Sequence, residues 1–456
     1  MLDRFKTHLH ESGLIPPESK LLVGYSGGPD STALLVLLVE SGFDCVAAHL
    51  HHGMRPEADR ELDQCAAFAD SLGIPFLSGR ADIPAMSAKL RIGVEEAGRH
   101  ARRAFFQQSA GQTGCSLIAT GHTQDDHVET VLMNLARGAG MSGLGGIRPL
   151  RDGFVRPLLP FTRDETRMFC KERGLWFHDD PGNFDESFTR VKVRKRIIPE
   201  FEAVNPKFKS AVSRVAETLA EEDTFLQHMA ANLIQTAEIP LNGNLSFLTD
   251  QVEACFDRQA LADAPSVLAR RGIRLAAAFI GGELGYENTL AILNSIRQPG
   301  SSISVTAGQA VIELSQSRLM IRNLQDIEPF RFPLTVPGVT ESEVFGWKFT
   351  TLPAPSDGYQ REPGSLDAVI DMESAKGGLY FRSAQPGDQM VPLGGDSPRK
   401  VSDLLAKSKL TSAARRRLPI IYDMAGPIWI PGCRLADRVR VTDKTVRAIS
   451  VRFGPL

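Results

Sequence analysis

Six consecutive residues, Ser26-Gly27-Gly28-Pro29-Asp30-Ser31, have the types that hold phosphate. Two adjacent glycines let the backbone turn sharply and come close to a ligand. The apolar stretch that follows, Ser31–Glu40, reads as a helix, and a helix start offers unbonded N–H groups and a positive dipole end. Ser26 and Ser31 add hydroxyl donors. The string is an anion cradle, and its natural guest is a polyphosphate. It is not the G-x-x-x-x-G-K-[ST] loop. A plain glycine turn with a Ser/Asp cap is the competing reading, and the full hexapeptide placed after a strand argues against it.

A second group lies in Thr120-Gly121-His122-Thr123-Gln124-Asp125-Asp126-His127-Val128-Glu129-Thr130. Asp126 and Glu129 are three apart, on one helix face, with Asp125 beside them. Two carboxylates suit two tasks, gripping an ammonium and accepting a proton; a solvated acidic face is the ordinary alternative. His122 and His127 are badly spaced for one metal. They read as structural or substrate-orienting, while His49, His51 and His52, without a cysteine or carboxylate partner near them in sequence, read as a strand-end turn beside the phosphate loop, also without metal. Positive charge gathers at Arg190, Lys192, Arg194, Lys195 and Arg196, with no acid among them, and again at Arg415-Arg416-Arg417, near Arg399 and Lys400. Such clusters suit a phosphate backbone, against the alternative of a solvated basic helix.

The elements that must position these groups alternate. Leu21–Tyr25, Cys45–Leu50, Pro75–Leu77, Ser116–Thr120 and Phe154–Leu159 read as strands. Ser31–Glu40, Glu57–Ser71, Val94–Ala110, Gln124–Arg137 and Arg163–Arg173 read as helices between and after them. That alternation predicts an α/β fold, a doubly wound parallel sheet covered on both faces, with ligands beyond the carboxyl ends of the strands. Asn205-Pro206 signals a new helix, and Val212, Val215, Leu219, Leu226, Met229 and Leu233 give it an apolar face about 25–30 residues long. Helices near Pro265–Phe279 and Tyr286–Arg297 make a mainly helical middle domain. A Pro-, Gly- and Ser-rich linker with a few strands, Pro333–Asp371, leads to a small α+β C-terminal domain.

The string S-G-G-x-D-S is the signature of the PP-loop ATP pyrophosphatases, and this sequence resembles that group. His49-Leu50-His51-His52-Gly53, the Thr120–Thr130 string, Asn134-Leu135-Ala136-Arg137-Gly138 and Glu96-Ala97-Gly98-Arg99-His100-Ala101-Arg102 together look like the tRNA(Ile)-lysidine synthetase family. The likeness covers residues 21–200. It returns at Arg382-Ser383-Ala384-Gln385-Pro386-Gly387-Asp388 and Pro431-Gly432-Cys433-Arg434. It implies an adenine nucleotide alpha hydrolase-like fold with four parts: a catalytic domain binding ATP and lysine (1–200), a tRNA-contacting middle domain (201–330), a linker (331–375) and a tRNA-binding C-terminal domain (376–456).

The implied reaction uses ATP to adenylate the C2 oxygen of the wobble cytidine in tRNA(Ile) with anticodon CAU. The ε-amine of free L-lysine then displaces AMP to give lysidine, so the codon read changes from AUG to AUA. Ser26, Gly27, Gly28, Pro29, Asp30 and Ser31 would hold the nucleotide, Asp30 would help to hold Mg²⁺, Arg102 would sit over the adenylate, and Asp126 and Glu129 would bind lysine. Asp125 is the neighbour able to exchange roles with Asp126. At pH 7 only about one lysine amine in a thousand is neutral, and deprotonation costs about 4–5 kcal/mol unless a base helps. On this reading Asp30→Ala abolishes adenylation, and Glu129→Ala spares adenylation more than lysine transfer. Arg190, Lys192, Arg194, Lys195 and Arg196 would face tRNA, and Arg415, Arg416 and Arg417 would meet the acceptor stem. A wobble base must be splayed out of its loop to react. Three residues depart from the family pattern: Arg103 where Tyr is common, Gly182 where Ser is, and Val191 where Asn is. They bear on tRNA contacts more than on adenylation.

Composition agrees and excludes several classes. The 456 residues, 42% hydrophobic and 23% charged, suffice for about three domains without disulfide staples. No apolar run approaches the roughly 20 residues of a membrane span, and the N-terminus has no secretory pattern. Six scattered cysteines without C-x-x-C fit a reduced, cytoplasmic setting. A net charge of −2 neither argues for nor against nucleic acid, and a homodimer is left open. The closest rivals are a tRNA thiolase, which would want paired cysteines, and a glutamine-fed amide synthetase, which would want a glutaminase-like Cys/His pattern. A tRNA-binding protein without catalysis is the rival from a different class.

Overall fold

The computed structural model describes residues 1–51, 58–179, 189–325, 327–355 and 364–456. His52, Gly53 and Gly182 therefore lie outside the described residues. The chain divides into two compact units, Met1–Phe225 and Leu226–Leu456.

The first unit is built on a six-stranded sheet: β1 (Lys20–Gly24), β2 (Asp44–His51), β3 (Phe76–Arg80), β4 (Leu117–Thr120), β5 (Leu150–Arg151) and β6 (Phe154–Val155), in the order β3-β2-β1-β4-β6-β5. All neighbours pair in parallel except β5 and β6, which form an antiparallel hairpin at the edge. The strand expected over Phe154–Leu159 stops at Val155, shortly before Pro157, which has no N–H to give a ladder. Alternate residues of the inner strands enter different cores. Leu21, Val23, Cys45, Ala47 and Ala119 pack on one face with Leu34, Leu37 and Phe169, while Leu22, Val46 and Ile118 pack on the other with Phe106 and Ala110. A period of two with both faces buried is what a helix-covered parallel sheet demands.

The helices are α1 (Leu2–Ser12), α2 (Pro29–Glu40), α3 (Ala58–Ser71), α4 (Ile83–Leu90), α5 (Val94–Thr113), α6 (Gln124–Ala136), the short α7 (Met141–Leu144) and α8 (Arg163–Glu172). After the undescribed stretch come α9 (Thr189–Lys192), a π turn at Val193–Ile197, α10 (Ile198–Val204) and α11 (Phe208–Ala237). α2 is buried from Ser31 to Leu38, which explains why its sequence is apolar all round. α11 starts two residues later than Pro206, and the Asn205 side chain accepts from the Lys207 N–H at 3.0 Å.

In the second unit, an antiparallel sheet of Glu253–Asp257, Arg318–Asn323, Ala310–Leu314 and Ile303–Ala307 shares a core with the helices Ser266–Phe279 and Tyr286–Arg297. Two further antiparallel sheets share a core rich in aromatic side chains, including Trp347, Phe349, Phe381, Trp429 and Phe453. Residues 331–375, read as a linker with a few strands, are built into those sheets: Arg331–Pro333 pairs with Tyr380–Arg382, while Trp347–Ala354 and Asp367–Asp371 flank Ala448–Pro455. Among the described residues no helix is long and apolar enough to cross a membrane.

Candidate active site

The neighbours of β1 are β2 on one side and β4 on the other, so the sheet reverses its winding there. In such sheets the crevice beyond the strand ends at the switch point is where ligands sit. Ser26–Ser31 leaves β1 into this crevice, and Gly121–Glu129 leaves β4 into it. Gly27 has φ +77°, and a Cβ there would stand 2.8 Å from His178 Nδ1 and 2.9 Å from Cys65 Sγ, so only glycine fits. Gly28 caps α2 and Pro29 begins it. The first bond inside the helix is Thr32 N–H to Gly28 O, at 3.0 Å, so the N–H groups of Asp30 and Ser31 have no acceptor within the helix. The Ser31 hydroxyl donates to Gly28 O at 3.0 Å and accepts from the Ser26 N–H at 3.2 Å, which holds the turn in shape. A Cβ on Gly121 would lie 3.1 Å from Asp30 C and Ser31 N. This glycine lets the end of β4 touch the start of α2 and brings the two motifs together.

The carboxylates of both motifs converge on one side chain that sequence reading missed. Arg163, the first residue of α8, places Nε 3.5 Å from Asp30 Oδ2, Nη2 2.9 Å from Asp126 Oδ1 and Nη1 3.2 Å from Glu129 Oε1. Its own backbone N–H donates to Asp125 Oδ2 at 2.7 Å. Glu129 is fully buried and accepts three more bonds, from Arg190 Nε at 2.8 Å and from Arg194 Nε and Nη2 at 2.6 and 3.2 Å. Lys209 reaches Asp125 Oδ1 at 2.8 Å. These four acids thus face Arg163, Arg190, Arg194 and Lys209, the last of which also reaches Glu202 Oε1 at 3.3 Å. Asp126 divides its oxygens: Oδ2 accepts from the Thr123 N–H and hydroxyl, both at 3.0 Å, as the capping box of α6, and only Oδ1 faces the crevice cations.

The charges respond to this packing. Burial, helped by the Asp126 charge, pushes Asp30 up to about 6, against the Thr166 hydroxyl and Arg163, which favour its anion. Burial also opposes ionisation of Asp126, but Arg163 and Arg190 outweigh it and hold the group below the usual carboxylate range. Asp125 is held low in the same way, by the Arg163 N–H and Lys209 against burial. Arg163 is buried, yet Asp126, Glu129 and Asp30 raise it above its ordinary value, so it stays charged. Burial drives His122 down to about 4, with Arg156, Arg190 and Arg102 adding to the effect against Asp126, so it is neutral at pH 7. A divalent cation shared with phosphates asks for one or two carboxylates and takes the rest from phosphate and water. Asp30 fits that demand: it sits on the first turn of α2, and its Oδ2 makes the longest of the three Arg163 contacts.

Residues 2–201 match the PP-loop domain family, and residues 379–451 match the TilS substrate C-terminal domain. Over 97% of this chain and 94% of the relative, the sequence is 30% identical to a tRNA(Ile)-lysidine synthase of Geobacter sulfurreducens. The chain belongs to the tRNA(Ile)-lysidine synthase family. It is 28% identical to the Dehalococcoides mccartyi synthase over 99% of both chains, and 27% identical to that of Caldanaerobacter subterraneus over 99% and 97%. Membership of the tRNA(Ile)-lysidine synthase family makes it an ATP-using ligase, and the expected PP-loop α/β architecture with a separate C-terminal domain stands.

The other residues singled out from sequence fall into distinct places. Arg102 is exposed on α5, where its Nε donates to Gly98 O at 3.3 Å, and its charge reaches His122. The basic run does not present one surface. Arg190 and Arg194 turn inward onto Glu129, while Lys192, Lys195 and Arg196 are exposed. Reading all five as outward-facing therefore needs correcting: Arg190 and Arg194 are four apart and share one helical face, and a buried carboxylate claims that face. In the second unit Arg416 is exposed, whereas Arg415 and Arg417 are half-buried, with the Arg417 guanidinium 5.9 Å from the centre of the Phe345 ring. His49 bonds Tyr25 O through Nδ1 at 2.9 Å, and His127 Nδ1 accepts from the Ile147 N–H at 3.1 Å. Besides Arg163, sequence reading missed Thr166, whose hydroxyl bonds Asp30, and His178, whose N–H donates to Gly27 O at 3.0 Å. The capping box Thr162–Glu165 was the available signal, because it fixes where α8 begins and puts residues 163 and 166 on one face.

Proposed function

We propose that this chain ligates free L-lysine to C2 of the wobble cytidine of tRNA(Ile) bearing a CAU anticodon, by way of an adenylated cytidine. The observation that carries the reading is the meeting of a phosphate cradle and a carboxylate cluster at one switch point. An acyl-free ligation of an amine needs both: a seat for the leaving pyrophosphate and an anionic seat for an ammonium. The N–H groups of Asp30 and Ser31 and the Ser26 hydroxyl receive phosphate oxygens. Asp30 holds Mg²⁺, which supplies charge neutralisation for the polyphosphate. Arg102 stabilises charge at the adenylate. Asp126, through Oδ1, grips the lysine ammonium. Glu129 has both oxygens filled by arginine N–H groups, so its part in the lysine site is to position Arg163, Arg190 and Arg194 rather than to take a proton. Lys192, Lys195 and Arg196 in the first unit, and Arg416 with the half-buried Arg415 and Arg417 in the second, are the cations assigned to tRNA phosphates.

The test is product analysis. Purified protein with ATP, lysine and unmodified tRNA(Ile) of anticodon CAU yields AMP, pyrophosphate and, in the digested tRNA, lysidine in place of one cytidine. AMP release that ignores lysine, or a wobble cytidine that stays unmodified after prolonged turnover, rejects the proposal.

A further inference from the structure

Only one oxygen of Asp126 is open to a ligand, because Oδ2 is committed to the α6 cap. That oxygen is already taken by a guanidinium. Arg163 Nη2 stands 2.9 Å from it, while the same guanidinium reaches Glu129 and, more loosely, Asp30 on the phosphate loop. An amino-acid ammonium and Arg163 thus compete for one seat. The acids facing Arg163 come from two elements: Asp30 from α2, and Asp125, Asp126 and Glu129 from α6, with Asp125 holding its backbone N–H. The nearest cations are Arg190 and Arg194, which share Glu129 with Arg163, and Arg190 Nη2 lies 3.7 Å from the same Asp126 Oδ1.

We propose that Arg163 is a positioning residue that keeps the ammonium seat on Asp126 closed until nucleotide phosphates at the Ser26–Ser31 loop draw its guanidinium towards Asp30. Lysine then binds productively only after the nucleotide. The inference rests on the reading of Asp126 as an ammonium ligand. The phosphates bring several negative charges to the side of Asp30, where the guanidinium already has its longest contact. A small displacement of Nη2 removes the hydrogen bond to Oδ1 and leaves that oxygen only the looser 3.7 Å contact with Arg190, while the anchor on Glu129 keeps Arg163 from leaving the site. Coupling between two sites is reciprocal, so lysine must tighten the nucleotide by the factor that the nucleotide tightens lysine.

The experiment is titration calorimetry of the full chain with L-lysine, alone and with a saturating ATP analogue whose α,β bridge cannot be cleaved, and then the reverse titration. Wild type is expected to bind lysine about 5–150-fold more tightly with the analogue present, the usual range for coupled sites. In Arg163→Gln, lysine affinity without nucleotide rises towards the coupled wild-type value and the ratio falls towards one. A purely structural role would lower the melting temperature and leave the ratio unchanged, which overturns the proposal. Equal lysine affinity with and without the analogue in wild type also overturns it, with no variant needed. If lysine gives no heat under either condition, the amino-acid reading itself fails and takes this inference with it.

Discussion

Glu129→Gln separates a ligand from a scaffold. The wild-type carboxylate is fully buried and accepts four N–H bonds from three guanidiniums. Glutamine keeps the size but offers one carbonyl oxygen, and its amide turns donors towards donors. Arg163 and Arg190 retain Asp126, whereas Arg194 loses its bidentate partner. Removing one member of a buried ion pair costs about 3–5 kcal/mol. The three arginines are 22–29% exposed and can turn partly to water, so the lower end of that range applies. At about 2–4 °C per kcal/mol for a unit of this size, the melting temperature falls by roughly 6–12 °C. Arg163 also loses its anchor beside Asp30, so adenylation without lysine and lysine transfer to preformed adenylate fall together. The assay pairs thermal unfolding by circular dichroism with the two partial reactions measured separately below the melting range. A variant within about 0.5 kcal/mol of wild type that adenylates normally and fails only in lysine transfer would refute this reasoning. It would restore Glu129 as a direct ammonium ligand, as its helix spacing first suggested.

Two further outcomes follow from the same geometry. Asp30→Asn abolishes adenylation, and its stability has a defined pH signature. The Asp30 pKa is raised to about 6 by burial, so this group favours the folded state below its ordinary carboxylate value and loses that contribution as pH rises through 6. Asparagine, neutral throughout, therefore becomes more stable than wild type by up to about 3 kcal/mol, the gap opening between about pH 4 and pH 6 and levelling above 7. Urea midpoints across that range check it, and a gap that closes as pH rises contradicts the assignment. Gly121→Ala drives a methyl against the backbone of Asp30 and Ser31 at 3.1 Å, neither of which is a flexible side-chain end. It is expected to cost about 1–3 kcal/mol and to weaken binding of the ATP analogue, and unchanged analogue affinity by calorimetry would mean the cradle does not need that contact.

What could be read in advance divides along a physical line. The turn at Ser26–Ser31 was legible because its determinants are local: two glycines, a helix start and two hydroxyls act within six residues. The sheet was legible because burial on both faces writes an apolar run into each inner strand. Asp126 and Glu129 were legible as a pair, since a helix puts them on one face whatever surrounds it. Their surroundings were not. Arg163, Arg190 and Arg194 lie between 34 and 65 residues from Glu129 in the chain, and nothing in their local sequence names an acid as partner. The first strand of the edge hairpin, Leu150–Arg151, was missed for a related reason: only its pairing with Phe154–Val155 makes it sheet, and the few strands expected in the linker find their place only by pairing with strands distant in sequence.

The same line explains why the basic run misled. Charge counted along the chain treats Arg190, Lys192, Arg194, Lys195 and Arg196 as one patch. On a helix, residues four apart share a face and residues two apart do not, so Arg190 and Arg194 form one set and Lys192 another. The first set meets a carboxylate with no exposed surface, where an unpaired charge would cost several kcal/mol, and the acid and the arginines must therefore be considered together. Every crevice acid is already paired: Asp30, Asp125, Asp126 and Glu129 face Arg163, Arg190, Arg194 and Lys209, which Glu202 also contacts. Acids paired in this way leave no spare anion to greet an incoming ammonium. Either the ligand brings its own compensating charge or a resident cation gives way, and under the proposed ordering a polyphosphate seated next to Asp30 would do both.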